Sequence, residues 1–244
     1  MSKNYRLVII LLLFCSNVLL AQVPPAWGGG ADQNDLSFGF SFTEVSSSFK
    51  IVKKPDWRNP YMEPGVGKIT DSLNSISSAP LPGFAIGFIT RYRLTDHIEV
   101  RATPALVFAD RGLTYTYPTA SEDVTKSIQS TAVDFPLAVK LKSDRLDNFR
   151  AYLIGGLKYT IAVGKGSVNA ADLNPLDQIP KNVQGFGSYE VGLGCDIYFE
   201  FFKLSPEIKL SNSLGNVLAP GTDPYTTPIS KLSLHTIMIS LIFE

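Results

Sequence analysis

Along much of the chain, apolar and polar residues alternate with a period of two, and the clearest case is the stretch 131–163. In its first run Val133, Phe135, Leu137, Val139 and Leu141 share one parity. Asp134, Ala138, Lys140 and Lys142 take the other, as strand geometry requires when successive side chains point to opposite faces. After a polar turn at 143–148 the pattern resumes, with Phe149, Ala151, Leu153, Leu157, Tyr159 and Ile161 opposite Arg150, Tyr152, Lys158 and Thr160. Both runs exceed the roughly 5–6 residues of an ordinary strand and reach the roughly 9–11 that a tilted strand needs to cross a bilayer.

Six further runs alternate in the same way, at 36–45, 83–94, 98–108, 185–200, 203–210 and 232–243, which predicts eight strands. The links after the second, fourth and sixth are short, whereas those after the first, third, fifth and seventh are long, at about 46–81, 110–125, 164–184 and 211–230. Beyond the N-terminal segment no stretch has the 18 or more consecutive apolar residues of a transmembrane helix. A chain that crosses lipid must then do so as a closed barrel, because lipid cannot satisfy an open sheet edge. The fold expected is all-β: an eight-stranded antiparallel transmembrane β-barrel of the small outer-membrane type. Four long extracellular loops and short periplasmic turns follow from the link lengths. Tyr92, Phe149, Tyr198 and Phe199 near the short turns, with Tyr115, Tyr117, Tyr159, Phe186 and Tyr189 towards the loops, suit two interfacial girdles.

The N-terminus supports export. Lys3 and Arg6 precede the apolar run 7–14, and Ala21 is a small residue before a cleavage point, so 1–21 reads as a signal peptide. Residues 22–34 then form a short periplasmic segment and 35–244 the barrel. The whole chain has 22 basic and 22 acidic residues; loss of Lys3 and Arg6 leaves 20 against 22, about −2, a balance that gives nucleic acid no purchase. Cys15 leaves with the signal, so Cys195 has no intramolecular partner and reads as a small hydrophobe.

The polar parity places a charge ladder inside the barrel: Arg91, Arg101, Lys140, Arg150, Lys158 and Lys209 against Glu99, Asp134, Glu190, Asp196 and Glu207. Eight strands enclose a space that side chains fill, so this set predicts a salt-bridged plug rather than an open channel.

Catalytic signals are sparse. The chain has two histidines, His97 in a short turn and His235 at i+2 from Ser233, and no Asp or Glu stands obviously beside that pair. No catalytic residue, no metal site and no cofactor is expected. Gly164-Lys165-Gly166-Ser167 fails as a phosphate loop because Tyr159 stands where the first glycine belongs. In the first long loop, Trp57 and Tyr61 are candidate partner contacts.

The segments GFSFTEVSSSFK (Gly39 to Lys50), KPDWRNPY (Lys54 to Tyr61) and DFPLAVKLKSDRLDNFRAYLIGG (Asp134 to Gly156) resemble the PorT family of Bacteroidetes outer-membrane proteins, over nearly the whole mature chain. That resemblance implies a component of the type IX protein secretion system, which also supports gliding motility where present. It carries no active residues across. The expected partners are outer-membrane lipid and other type IX components, with no small-molecule substrate. The alternatives are a small barrel for adhesion or envelope integrity, and a lipid-modifying hydrolase built on Ser233 and His235.

Overall fold

The computed structural model describes residues 34–63, 65–128, 131–163 and 174–244. The expected signal peptide, all but the last residue of the expected periplasmic segment 22–34, and the Gly164-Lys165-Gly166-Ser167 stretch lie outside them. The strands in chain order are β1 (Leu36–Lys53), β2 (Met62–Glu63), β3 (Gly67–Lys68), β4 (Ser75–Ser77), β5 (Leu81–Arg93), β6 (Ile98–Ala102) and β7 (Ala105–Ala109). They continue with β8 (Arg111–Thr116), β9 (Val124–Ile128), β10 (Thr131–Lys142), β11 (Phe149–Ala162), β12 (Gly185–Tyr198), β13 (Lys203–Ser213) and β14 (Ile229–Phe243).

One sheet closes on itself: β1, β14, β13, β12, β11 and β10 pair in turn, β10 pairs both β6 and β7, these pair β5, and β5 returns to β1. All these pairings are antiparallel. β6 and β7 are two halves of one wall strand, parted at Thr103-Pro104 because proline has no N–H to give. Thr103 N still donates to Pro136 O (3.3 Å) and Phe88 N to Pro104 O (2.9 Å), so the wall stays sealed and eight strands form the ring.

The register fixes the barrel's shape. A row of paired residues runs from Ser46 through Ile237, Leu210, Val191, Gly155, Val139, Val100 and Tyr92 to Leu36. It leaves β1 at residue 46 and returns at residue 36, a stagger of ten residues around eight strands. With a rise of ~3.3 Å per residue and a strand spacing of ~4.7 Å, that stagger gives a tilt of about 41° and a radius of about 8 Å.

Alternation then sorts the two faces. Phe38, Phe40, Phe42, Phe88, Leu137, Leu153, Leu157, Leu193 and Ile239 are exposed on the outer wall, a continuous apolar belt. Glycines admit bulky neighbours on the inside: a Cβ on Gly194 would meet the Tyr152 ring at 2.5 Å, and one on Gly192 would meet Lys209 Cγ at 2.6 Å.

Three sequence expectations need correction at the long-loop end. β1 runs to Lys53 and not to 45, because beyond the belt the faces exchange character: Phe49 turns inward, while Ser46, Ser48 and Lys50 stand outward above the apolar band. The link expected at 110–125 holds β8, which pairs with β4 and β9 in a second small sheet above the wall. Finally, Tyr115, Tyr117, Phe186 and Tyr198 are buried and belong to no outer girdle, whereas Tyr92, Phe149, Tyr159, Tyr189 and Phe199 are exposed.

Candidate functional site

The barrel interior is the first place to look for function, and it is filled with ion pairs. Near the short turns, Arg91 Nη1 is 2.7 Å from Glu99 Oε1, and Lys142 also reaches Glu99. Lys140 Nζ donates to both oxygens of Asp196 at 2.8 Å, where Ser205 Oγ also donates at 2.6 Å. Lys203 pairs with Glu244, whose Oε2 lies 3.3 Å from Arg91 Nε.

One level up, Arg101 pairs with Glu207, to which Tyr152 donates its hydroxyl at 2.9 Å. The Tyr152 ring lies under Lys140 Nζ, 3.8 Å from the centroid. Lys209 joins the tiers, 3.6 Å from Glu207 and 3.4 Å from Glu190. Lys158 closes the upper tier against Asp134 (3.0 Å) and Glu190 (3.2 Å), while Thr160 Oγ1 donates to Asp134 at 2.7 Å.

Such a network stands in a water-poor interior only because every charge has an opposite beside it; an unpaired one would cost several kcal/mol, on the order of 3–5. Ten of the eleven ladder residues named from the sequence are therefore brought together inside the wall: Arg91, Glu99, Arg101, Asp134, Lys140, Lys158, Glu190, Asp196, Glu207 and Lys209. Arg150 shares their parity but sits half-buried at the short-turn rim, where its Nε donates to Ser143 O at 2.7 Å. Sequence reasoning left out Lys142, Lys203 and Glu244, although each continues the inward parity of its strand. Above the ion pairs remains a cavity of about 50 Å³, bordered by Arg111, Asp134, Lys158 and Thr236.

The long-loop end is closed by a second, apolar layer. Phe49, Leu113, Tyr115, Val217, Tyr225 and Leu232 form the centre of a buried cluster drawn from the wall and three loops. Local hydrogen bonds shape the loops: Asp223 Oδ1 accepts from Tyr225 N (2.9 Å) and Thr226 N (2.8 Å), an Asx-type turn. Asn216 Oδ1 accepts from Leu218 N (3.1 Å) and Leu232 N (2.8 Å), tying the last loop to β14. Tyr115 donates its hydroxyl to Tyr225 O at 2.8 Å. Burial raises the phenol of Tyr225 to about 12 and holds those of Tyr115 and Tyr117 above their ordinary range. On the rim of this cap, a cleft of about 470 Å³ opens between Tyr117, Tyr225, Ile69 and Lys68.

Trp57 packs against the cap cluster, with Lys53 Nζ 4.0 Å and Arg58 Cζ 5.0 Å from its ring. Tyr61 donates its hydroxyl to Thr222 O, so the first loop is fastened to the last. Ser233 and His235 share the outer face of β14 without a bond to each other: Ser233 Oγ donates to Gly215 O (3.4 Å), and His235 Nδ1 meets Asn212 Oδ1 (2.7 Å). A serine engaged with a carbonyl is not activated by that histidine. Among the described residues, no group of three or more His, Cys, Asp or Glu is placed to hold a metal ion.

None of the curated proteins compared matches the chain. Among solved structures, it is similar to OprG from Pseudomonas aeruginosa, at 13% identity over 85% of this chain and 93% of that one, with a TM-score of 0.45. It is similar to Neisserial surface protein A at 10% identity over 86% and 98%, TM-score 0.41. The solid-state NMR structure of outer membrane protein AlkL in DMPC bilayers aligns at 14% identity over 91% and 94%, TM-score 0.43. The sequence model described as "Outer membrane protein beta-barrel domain" matches residues 33–219. With a closed antiparallel wall, an apolar outside and a charged inside, the chain belongs to this outer-membrane β-barrel family and crosses the outer membrane with its strands.

Proposed function

We propose that the protein is an accessory component of the type IX protein secretion system, acting in assembly, stabilisation or maturation of the apparatus and not as its conducting pore. The observation that carries the second half of this reading is the doubly closed interior, ion pairs below and an apolar cap above. A barrel about 8 Å in radius at its backbone and filled with side chains cannot pass a folded cargo. Work done in secretion must then be done on the outer wall or the loops. The first half is supported by the PorT-like segments, one of which, Lys54 to Tyr61, lies in the loop fastened over the mouth. Trp57 and Tyr61 offer that loop's aromatic contacts to a partner.

A clean deletion should abolish export of type IX cargo and, in a gliding species, surface motility, while uptake of small hydrophilic antibiotics stays unchanged. Trp57→Ala with Tyr61→Ala should restore barrel levels but only part of the secretion. Normal cargo export in the deletion would sink the proposal. The packed platform of loops also suits adhesion or envelope integrity. That second reading predicts intact secretion with altered surface binding or detergent sensitivity.

A further inference from the structure

The outer wall is not polar or charged evenly around its upper edge. On β1 the outward positions run Phe38, Phe40, Phe42, Glu44 and then Ser46, Ser48 and Lys50; on β14 they include Lys231, Ser233 and His235. Lys50 stands opposite Ser233, with Lys231 and His235 on its two diagonals. Diagonal partners on one face are about 7–8 Å apart, within reach of long side chains. Lys50 and Lys231 are exposed, and neither side chain has an ion pair or hydrogen bond among the described residues. His235 Nδ1 meets Asn212 Oδ1, which fixes a proton on that nitrogen and leaves Nε2 for a ligand.

Barrel geometry gives the height of this cluster. At a tilt of about 41°, each outward position rises about 5 Å along the barrel axis, and each step between paired residues along a row changes the level by about 3 Å. Measured from Leu36, the apolar belt ends between about 20 and 25 Å, at Phe84, Val133, Tyr159 and Tyr189, in keeping with an apolar band ~25 Å tall. On the same scale His235, Lys50 and Lys231 lie at about 27, 35 and 37 Å, in the layer of lipid head groups on the long-loop side. At comparable heights Thr131, Ile161, Gly187, Leu214 and Pro82 carry no charge, while the exposed Asp110, just past the end of β7, stands two strands away from β1. Glu44, the one acidic group on the outward face of these two strands, is six residues below Lys50, about 20 Å along the strand, too far to neutralise it.

Like charges held as neighbours cost free energy unless an anion joins them, and the hydroxyls of Ser48 and Ser233 flank Lys50, one along its own strand and one directly opposite. We infer that the β1–β14 face binds the phosphorylated head group of an outer-leaflet glycolipid, with Lys50 and Lys231 on the phosphate, Ser48 donating to it, and Ser233 Oγ and His235 Nε2 accepting from the sugar hydroxyls. The inference is independent of any role in secretion.

The test uses the full mature protein in detergent micelles, titrated with bis-phosphorylated lipid A, dephosphorylated lipid A and phosphatidylglycerol, with retained lipid read by native mass spectrometry. Bis-phosphorylated lipid A should bind at least tenfold more tightly than either other lipid. Lys50→Gln with Lys231→Gln should erase that preference, Lys50→Arg should keep it, and the remote Lys181→Gln should leave it unchanged. Heat-dependent gel mobility verifies that each variant is folded. Equal retention of phosphatidylglycerol, or an undiminished preference in the double variant, would overturn the inference.

Discussion

Arg101 and Glu207 hold opposite charges where water hardly reaches, and the worth of each depends on the other. Glu207→Gln leaves Arg101 without its anion and Tyr152 with a weaker acceptor. The expected loss is about 3–5 kcal/mol, the usual cost of removing one partner from a buried pair. Urea unfolding of the vesicle-inserted barrel measures it, and a loss under ~1 kcal/mol would mean that water screens the pair. Replacing both partners with apolar residues, as in Arg101→Met with Glu207→Leu, should recover part of the loss because no lone charge remains. The identities of these residues were legible from parity alone. Their partners were not, since Arg101 and Glu207 lie 106 positions apart and meet only across the closed lumen.

At the scale of the strand, small residues decide where large ones can go. Gly194 stands opposite Tyr152 on the inner face, and its missing Cβ is the space that the ring occupies. Gly194→Leu should displace Tyr152, take its hydroxyl from Glu207 and cost about 1–3 kcal/mol, as overpacking does. Gly155→Leu on the neighbouring strand is the control: its Cβ would meet nothing nearer than Glu190 O at 3.7 Å. Similar destabilisation by both would refute the packing argument. Strand ends proved the least legible feature. The period-two rule reports which side is apolar, and above the belt that side reverses, as Phe49 and Lys50 illustrate.

For the whole molecule, the two closures differ in chemistry and so in response to pH. Tyr115, Tyr117 and Tyr225 hold their protons more tightly in the cap than in an unfolded loop, because burial disfavours the phenolate. The folded cap therefore keeps protons that the unfolded loops release, and its stability falls as pH rises above the ordinary phenol value of 10.0 and through about 12 for Tyr225. Tyrosinate absorbance should show these phenols titrating late and in step with the loss of near-ultraviolet circular dichroism. Titration together with exposed tyrosines, with no change in dichroism, would contradict a packed cap.

Sequence by itself determined the wall: period two, the order of the strands, short and long links, and the polar parity that turns inward, because a strand's geometry writes its two faces directly into neighbouring residues. Tertiary structure alone decided what closes the mouth and which partner each charge finds. Phe49, Leu113, Tyr225 and Leu232 come from distant parts of the chain, and no local period marks residues that meet only after the barrel has closed. The same holds for the cationic face of β1 and β14, since Lys50 and Lys231 become neighbours only when the first strand pairs with the last.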